Sequence, residues 1–236
     1  MITSLVLLVT WIVLGLGTAL IGLTWLFITG DVLVLYRLSM GTVRAGLRVA
    51  GIRIHVQWDS PLDPAEHYIF LSNHVSNLDP PVLLPIIPGR LSAFLKRSLM
   101  NIPILGYGMR RADFIPVDRD GRTESAAASV EIAARVLASG VHIVSFVEGT
   151  RSPDGRLQPF KKGPFYLAME TGAPVIPVSI YGTETMMRKG SLKVLPGTPH
   201  VHFHAPIHPH DYADRDALMD AVRAAIASGL PEWMRS

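Results

Sequence analysis

An uncharged stretch from Ile2 to Gly30 is the feature that most constrains this chain of 236 residues. Leucine, valine, isoleucine and tryptophan dominate it, and it is longer than the roughly 20 apolar residues that cross a bilayer as a helix. A secretory signal is the weaker interpretation, because no lysine or arginine precedes the stretch and no convincing cleavage site follows it. The stretch therefore predicts a membrane anchor, which either crosses the bilayer or returns within one leaflet as a helix pair.

A second helix is predicted after Gly30, with Asp31 as its potential cap. Apolar residues recur at helical spacing up to Ala50, and arginines fall on another face. Arginines directly after a hydrophobic run favour anionic headgroups and place this flank at the cytoplasmic side of the cell membrane. An interfacial helix is therefore expected, and a soluble helix covering the domain is the alternative. The arginines are Arg37, Arg44 and Arg48.

The composition narrows the chemistry that this chain can perform. It contains no cysteine, which excludes disulfides, thiolate metal sites and a cysteine nucleophile. Its net charge of +3 suits anionic lipid, phosphate or nucleic acid equally well. The length allows one good-sized domain and an anchor. We therefore expect residues 1–50 to form the membrane anchor and interfacial helix, and residues 51–236 to form one α/β domain.

Strand-like and helix-like segments alternate through the second part of the chain. A first strand is expected from the alternation of Ile52, Ile54, Val56 and Trp58 with polar residues. Helical segments are clearest at Thr123 to Ser139 and Asp214 to Ser228, each stopped by a glycine. This order predicts an α/β fold with a single mixed sheet flanked by helices. Further strands are expected near Tyr68 to Leu71, Leu91 to Leu95, Phe114 to Val117, His142 to Val147, Val175 to Tyr181, Leu192 to Leu195 and Val201 to Phe203.

The segment from Asn73 to Pro81 carries a histidine and an aspartate after a predicted strand. Asp79 before two prolines is typical of a helix N-cap with proline in the first turn. Five residues separate His74 from Asp79, so the two side chains meet only if the intervening segment is a loop. Such a pair fixes the ring tautomer and lets the other nitrogen take a proton from a hydroxyl.

A second polar segment, Phe146 to Ser152, ends another apolar strand, and ligands of open α/β sheets bind beyond the carboxyl ends of strands. Gly149 lets the backbone approach an anion, and Arg151 offers a planar fork for phosphate. Thr150 and Ser152 offer hydroxyl donors. Glu148 either orients Arg151 or binds a hydroxyl of the substrate. Three further cations are candidates to add to this charge, namely Arg119, Lys161 and Lys162.

Together these segments resemble the glycerolipid acyltransferases, most closely the bacterial 1-acylglycerol-3-phosphate acyltransferases. The resemblance covers roughly residues 50 to 205 and rests on ordered blocks rather than on one motif. It implies that His74 is the general base and Asp79 its orienter. It also implies an acceptor-phosphate site made of Arg119, Glu148, Gly149, Thr150 and Arg151, with Lys96 as an addition. The matching blocks are His74-x4-Asp79, Phe146 to Ser152, Phe114 to Arg119, Lys96 with Pro103 and Gly106, and Val175 to Val178.

The implied reaction is direct attack of a lysophosphatidic acid hydroxyl on a thioester of acyl-CoA or acyl-carrier protein, with membrane lipids as further partners. No cofactor and no metal are expected. A Gly-x-Ser-x-Gly elbow is absent, which is consistent with a reaction that forms no acyl-enzyme. Val147 departs from the family, which commonly has proline there.

Several alternatives stay open from the sequence. Glycerol-3-phosphate and other lysophospholipids are plausible acceptors, and water in place of an alcohol would make a hydrolase. A non-catalytic lipid-binding module would use the same anchor and basic pocket. Nucleic-acid binding is disfavoured, because the cations are not interleaved with stacking aromatics. A metal site on the histidine run is disfavoured for lack of a carboxylate partner at a persuasive spacing. That run is His200, His202, His204, His208 and His210.

Overall fold

A helical hairpin precedes the sheet in the computed structural model, which describes residues 2–117, 123–188 and 190–235. Helix α1 spans Ile2–Thr29 and helix α2 spans Leu33–Val49. The N-cap of α2 is Val32, one residue after the predicted cap, but the carboxylate of Asp31 still accepts a hydrogen bond from the backbone N–H of Leu33 at 2.8 Å. Gly30 turns the chain with a φ of 73°, a left-handed conformation that glycine adopts without strain.

The two helices pack antiparallel at close range because small residues lie between them. A Cβ added to Gly46 would lie 2.0 Å from the indole nitrogen of Trp11, so only glycine fits there. Farther along the pair, the hydroxyls of Thr18 and Thr42 are 2.7 Å apart and share a hydrogen bond. Small residues and hydroxyl contacts are typical of helices that associate in lipid. The uncharged stretch itself forms one continuous helix, so the helix pair considered within it is not formed, and the observed pair consists of α1 and α2.

Helix α1 is the one helix in the described part of the chain that is long and apolar enough to cross a membrane, with 28 residues and a mean hydropathy of 2.4. Most of its apolar side chains are uncovered, and Phe27, for example, is 87% exposed. Its first turns nevertheless touch the domain. Leu7 is buried in a core cluster, and the Ser4 hydroxyl accepts a hydrogen bond from the Val194 N–H at 2.8 Å. This helix is a candidate membrane anchor that is fixed to the domain at its beginning.

Seven strands form a single mixed sheet in the order β1-β7-β6-β2-β5-β3-β4. Strand β7 runs antiparallel to β6, and every other neighbouring pair is parallel. The predicted fold class, an α/β domain with one mixed sheet and flanking helices, is confirmed. The strands are β1 His55–Trp58, β2 Ile69–Ser72, β3 Leu91–Lys96, β4 Ile115–Val117, β5 His142–Phe146, β6 Val175–Tyr181 and β7 His200–Phe203.

Helices cover both faces of the sheet, and the sheet separates the core into two clusters. On one face, Leu7 of α1 and Leu47 of α2 pack in the same buried cluster as Phe70. On the other face, Ile69 packs with Leu218 and its neighbours on the last helix. The remaining helices are α3 Asp79–Leu83, α4 Leu105–Arg111, α5 Thr123–Ala138, α6 Gly163–Thr171, α7 Thr183–Met186 and α8 Arg215–Ser228, with 3-10 turns at Leu84–Ile86, Arg97–Asn101, Pro209–Asp211 and Glu232–Met234.

The predicted strand at Leu192 to Leu195 is wrong. Its backbone finds partners outside the sheet, because the Leu195 N–H donates to the Met186 carbonyl at 2.9 Å and Val194 bonds to the first turn of α1. Leu192 itself is 86% exposed. The apolar residues that suggested a strand thus belong to a connection between α7 and β7.

Strand β2 lies at the centre of the sheet, between β5 and β6, and all four of its residues are fully buried. Where its backbone leaves the ladder, the side chain of Asn73 continues the pairing. The amide nitrogen donates to the Ile180 carbonyl at 2.9 Å, and the amide oxygen accepts from the Ile180 N–H at 2.8 Å. Asn73 thereby ties the carboxyl end of β2 to that of its parallel neighbour β6.

Candidate active site

The carboxylate of Asp79 organises the loop that follows β2. One oxygen, Oδ2, accepts hydrogen bonds from His74 Nδ1 and from the backbone N–H groups of Val75 and Ser76, each at 2.7 Å. The other, Oδ1, accepts from the hydroxyl of Thr183 at 2.5 Å. Asp79 is fully buried. Burial of a carboxylate is tolerated when its oxygens are hydrogen-bonded in this way.

His74 has its tautomer set by this arrangement. Oδ2 of Asp79 is an acceptor for two backbone N–H groups, so the third contact is a hydrogen bond donated by Nδ1–H of the ring. The other nitrogen, Nε2, therefore keeps its lone pair. The ring stacks on Phe146 with centroids 4.2 Å apart, and its side chain is 16% exposed. The predicted pair is thus formed, with a base that is fixed in orientation and still reachable.

The prediction that Asp79 is the N-cap of α3 is wrong, because Leu78 occupies that position. Asp79 is the first residue of α3, followed by proline in the first turn as expected. Its carboxylate turns back to the N–H groups of the preceding loop instead of those of its own helix. Pro80 and Pro81 have no N–H to offer, so the carboxylate is left for the loop and the imidazole.

Glu148 joins the second motif to the first. Its Oε1 accepts a hydrogen bond from the backbone N–H of His74 at 3.0 Å, and Ser152 donates its own N–H to the His74 carbonyl at 2.8 Å. Burial raises the pKa of Glu148 to about 7, although the N–H groups of His74 and Gln158 oppose this. Its second oxygen, Oε2, is buried and has no hydrogen-bond partner among the described residues. A buried acceptor without a partner suits a polar group brought by a ligand.

The turn after β5 exposes the groups predicted to bind an anion. Gly149 has a φ of 69° and lies against the Lys161 side chain, and Gly149 and Thr150 are exposed while Arg151 is partly buried. Ser152 differs from the expectation. Its hydroxyl donates to Asp154 at 3.0 Å and accepts from the Gly155 N–H, so it is used within the loop.

Val147, where the resemblance leads one to expect proline, is fully buried and makes a hydrogen bond that proline would lack. Its N–H donates to the Ser72 carbonyl at 2.9 Å, which extends the pairing of β2 with β5 by one step. The exchange therefore removes no group from the site and adds a bond beneath it.

Two predicted cations have no observed contact that joins them to this centre among the described residues. Lys96 is exposed at the carboxyl end of β3, in register with Val117 of β4. Within the described part of the chain, Lys96 makes no hydrogen bond or ion pair with the His74 loop. Arg119 lies outside the described residues, two positions beyond the end of β4. Their proposed roles therefore stay predictions.

Thr183 is the site residue that the sequence analysis missed. It begins α7, directly after β6, and is fully buried with its hydroxyl on Asp79. No spacing signal links two residues 104 positions apart. The rule that places ligands at the carboxyl ends of parallel strands would have included it, because β6 neighbours β2.

The chain matches the family model described as Acyltransferase over residues 53–181. A 1-acyl-sn-glycerol-3-phosphate acyltransferase of Cocos nucifera is 30% identical over 166 residues, covering 70% of this chain and 54% of that protein. The chloroplastic enzyme of the same description from Brassica napus is 36% identical over 165 residues, covering 69% and 46%. The alpha enzyme of Homo sapiens is 30% identical over 175 residues, covering 73% and 62%. The chain thus spans about half to three fifths of these relatives.

A solved structure has the same fold along nearly the whole chain. It is the crystal structure of the 1-acyl-sn-glycerophosphate acyltransferase PlsC from Thermotoga maritima, with a TM-score of 0.81 and 24% sequence identity. The match covers 98% of this chain and 96% of that one, so it includes the helical hairpin as well as the sheet.

The raised pKa of Glu148 predicts a pH-dependent stability that Glu148→Gln removes. The folded protein holds this proton up to about pH 7, whereas the ordinary value is 4.5, so the stabilising contribution is present at low pH and is lost as pH rises through 7. Between pH 5 and pH 8 the free energy of unfolding should fall by about 2 kcal/mol more for the wild type than for the variant. Denaturant unfolding in detergent at both pH values measures the difference. The exposed Glu170→Gln should follow the wild type, and parallel curves for all three proteins would refute the assignment.

Proposed function

The chain belongs to the acyltransferase family, and we propose that it transfers a fatty acyl group from a thioester to the 2-hydroxyl of 1-acylglycerol-3-phosphate, giving phosphatidic acid. The donor is acyl-CoA or acyl-carrier protein, and no cofactor takes part. Relatives described as 1-acyl-sn-glycerol-3-phosphate acyltransferases support this choice of acceptor. Glycerol-3-phosphate or another lysophospholipid is the alternative acceptor within the same chemistry.

The hydrogen bond between the His74 N–H and Glu148 Oε1, at 3.0 Å, is the observation that carries this proposal. It fixes the loop of the base to the turn of candidate phosphate ligands, together with the bond from Ser152 to the His74 carbonyl. A base and an anion site joined in this way suit a substrate whose hydroxyl lies a few bonds from its phosphate. The 2-hydroxyl of a lysophosphatidic acid has that relation to its phosphate.

His74 supplies the proton transfer of the proposed step. Its Nε2 takes the proton of the acceptor hydroxyl as the oxygen attacks the thioester carbonyl. The Asp79 carboxylate stabilises the imidazolium that forms. When the tetrahedral intermediate collapses, the C–S bond breaks and the imidazolium returns the proton to the leaving thiolate. The new ester and the free thiol account for every atom, and no acyl-enzyme is needed.

The oxyanion of that intermediate needs hydrogen-bond donors. The N–H groups of Val75 and Ser76 are already bonded to Asp79, so they do not serve. The donors must therefore come from elsewhere around the site.

Phosphate recognition is proposed for the turn from Glu148 to Arg151, with Lys161 packed beside Gly149 and with Lys96 and Arg119 as further cations. Arg151 supplies a planar fork for phosphate oxygens. Glu148 is better suited to a hydroxyl than to phosphate, because its Oε2 is buried without a partner and its pKa is raised to about 7. A protonated carboxyl both donates and accepts hydrogen bonds, and it does not repel a neighbouring anion.

The membrane arrangement is part of the same proposal. Helix α1 presents apolar side chains to lipid, and the arginines of α2 favour anionic headgroups of the cytoplasmic leaflet. The sheet domain would then lie on the cytoplasmic side of the cell membrane, where both thioester donors are found. Membrane lipids are accordingly partners as well as the source of the acceptor.

Replacing the base tests the catalytic part of the proposal. His74→Ala should lower kcat for transfer to lysophosphatidate by about 10² to 10⁴, since general-base catalysis contributes that much. The exposed His208→Ala is the matched control and should keep wild-type activity. Product analysis with radiolabelled acyl-CoA and acyl-carrier protein, with and without acceptor, measures transfer and hydrolysis separately. Full transfer by His74→Ala would show that His74 is not the base. Absence of transfer by the wild type would indicate a lipid-binding module, and acceptor-independent release of acid would indicate a hydrolase.

A panel of acceptors tests the phosphate site. Arg151→Ala should raise KM for lysophosphatidate by about tenfold or more, because a charge-assisted contact of roughly 1.5–3 kcal/mol is lost. Its KM for monoacylglycerol, which has no phosphate, should be nearly that of the wild type. Arg135→Ala, on the exposed face of α5, serves as the charge-matched control. If Arg151→Ala weakens both acceptors equally, the arginine does not read the phosphate.

A further inference from the structure

Two imidazoles and one carboxylate lie close together at the end of the sheet opposite the candidate active site. They belong to His202, His204 and Asp59. One ligand atom from each residue lies within 4.8 Å of the others. Asp59 follows the edge strand β1, and His202 lies on β7 next to it. The His204 N–H donates to the Pro177 carbonyl, near the beginning of β6. The cluster therefore lies near the opposite end of β6 from Thr183 and plays no part in the proposed acyl transfer.

We infer that Asp59, His202 and His204 form a binding site for a divalent transition-metal ion of the zinc class. The sequence disfavoured a metal site because the histidine run lacked a carboxylate at a persuasive spacing. The sheet supplies that carboxylate from Asp59, which is 143 positions before His202 and carries no spacing signal. Imidazole nitrogen and carboxylate oxygen together suit zinc and its neighbours better than calcium or magnesium.

The hydrogen bonds around His204 determine which of its nitrogens is free. The Ser179 hydroxyl has one hydrogen, which it donates to the Ile226 carbonyl at 2.7 Å. It therefore accepts from Nε2–H of His204, at 2.8 Å. In the neutral ring Nδ1 of His204 therefore has the lone pair, and the Ser179 hydroxyl holds the ring from the other side.

That lone pair faces another acceptor. Nδ1 of His204 lies 3.6 Å from Oδ2 of Asp59, which is longer than a hydrogen bond. An imidazole nitrogen and a carboxylate oxygen are both zinc ligands, so an ion between them would bind to both. Neighbouring ligands in a tetrahedral zinc site are separated by roughly 3.4 Å, from metal–ligand bonds of about 2.1 Å. The observed separation already suits such an ion.

His202 completes the set from the same face of β7. Its Nε2 lies 2.7 Å from Oδ1 of Asp59, and its ring centroid is 4.0 Å from that of His204. Metal binding would replace the His202 to Asp59 hydrogen bond by two metal–ligand bonds, which requires a small rotation of the more exposed Asp59 side chain. Asp59 is 35% exposed, so an ion can enter from solvent and keep water in a fourth position.

The expected consequence of binding is a firmer attachment of the edge strand. Asp59 follows β1, and the two histidines belong to β7 and its continuation, so one ion would link both strands. Through Ser179 the link extends to β6 and to the Ile226 carbonyl of α8. An ion that binds the folded chain and not the unfolded one raises its melting temperature.

Zinc binding by the full chain tests this inference. The protein is purified in detergent without a polyhistidine tag, stripped with a chelator, and titrated with Zn²⁺ against a chromophoric chelator. The wild type should bind one saturable equivalent and melt at a higher temperature with Zn²⁺. Asp59→Asn and His202→Gln, which keep side-chain size, should each weaken affinity by about tenfold to a hundredfold. His208→Ala and His210→Ala remove exposed histidines outside the cluster and should bind as the wild type does.

Circular dichroism of each variant without metal confirms that the fold is kept, so a change in affinity is read only from folded protein. Absence of a saturable equivalent in the wild type overturns the inference and leaves an ordinary ion pair between His202 and Asp59. Retained affinity in either cluster variant overturns it as well. Acyl-transfer activity does not enter this test, so its result is independent of the proposed function.

Discussion

The buried carboxylate of Asp79 is the interaction on which the rest of the candidate site depends. It gathers two backbone N–H groups, the His74 ring and the Thr183 hydroxyl, and in doing so ties the loop after β2 to the start of α7 after β6. Removing the carboxylate would leave buried donors without partners, which costs more than the bonds themselves contribute. The Asp79 carboxylate thus determines the orientation of the His74 ring, the shape of the loop and the attachment of the loop to the neighbouring strand.

The parallel sheet explains why residues distant in sequence converge. The carboxyl ends of β2, β5 and β6 lie side by side, and His74, Glu148 and Thr183 each follow one of them within two residues. Asn73 replaces the missing backbone ladder at this edge, so the loops leave the sheet from fixed positions. The helical hairpin packs on the same domain through Leu7 and Leu47, which connects the exposed apolar helix α1 to the core beneath the site.

Much of this arrangement could be predicted from local signals. The predicted bounds of β6 agree with those in the structure, and the other strands were predicted to within one or two residues, with the exception of β1. Strand β1 begins at His55, so Ile52 and Ile54 lie outside it. The His74 and Asp79 pairing followed from a loop between a strand and a proline-flanked helix start. Contacts between distant segments gave no such signal. Thr183 and Asp59 meet their partners only through strand order, and Leu192 to Leu195 has strand-like residues whose N–H groups bond elsewhere.

Nitrogen-15 NMR of histidine-labelled protein in detergent tests whether Asp79 holds His74 in one tautomer, with the His74 signals assigned by their absence in His74→Gln. At a pH where the ring is neutral, the account predicts a proton on Nδ1, bonded to Asp79, and an unprotonated Nε2. A proton on Nε2, or rapid exchange between both tautomers, would contradict it, because the ring would then not be held as a base directed away from the carboxylate.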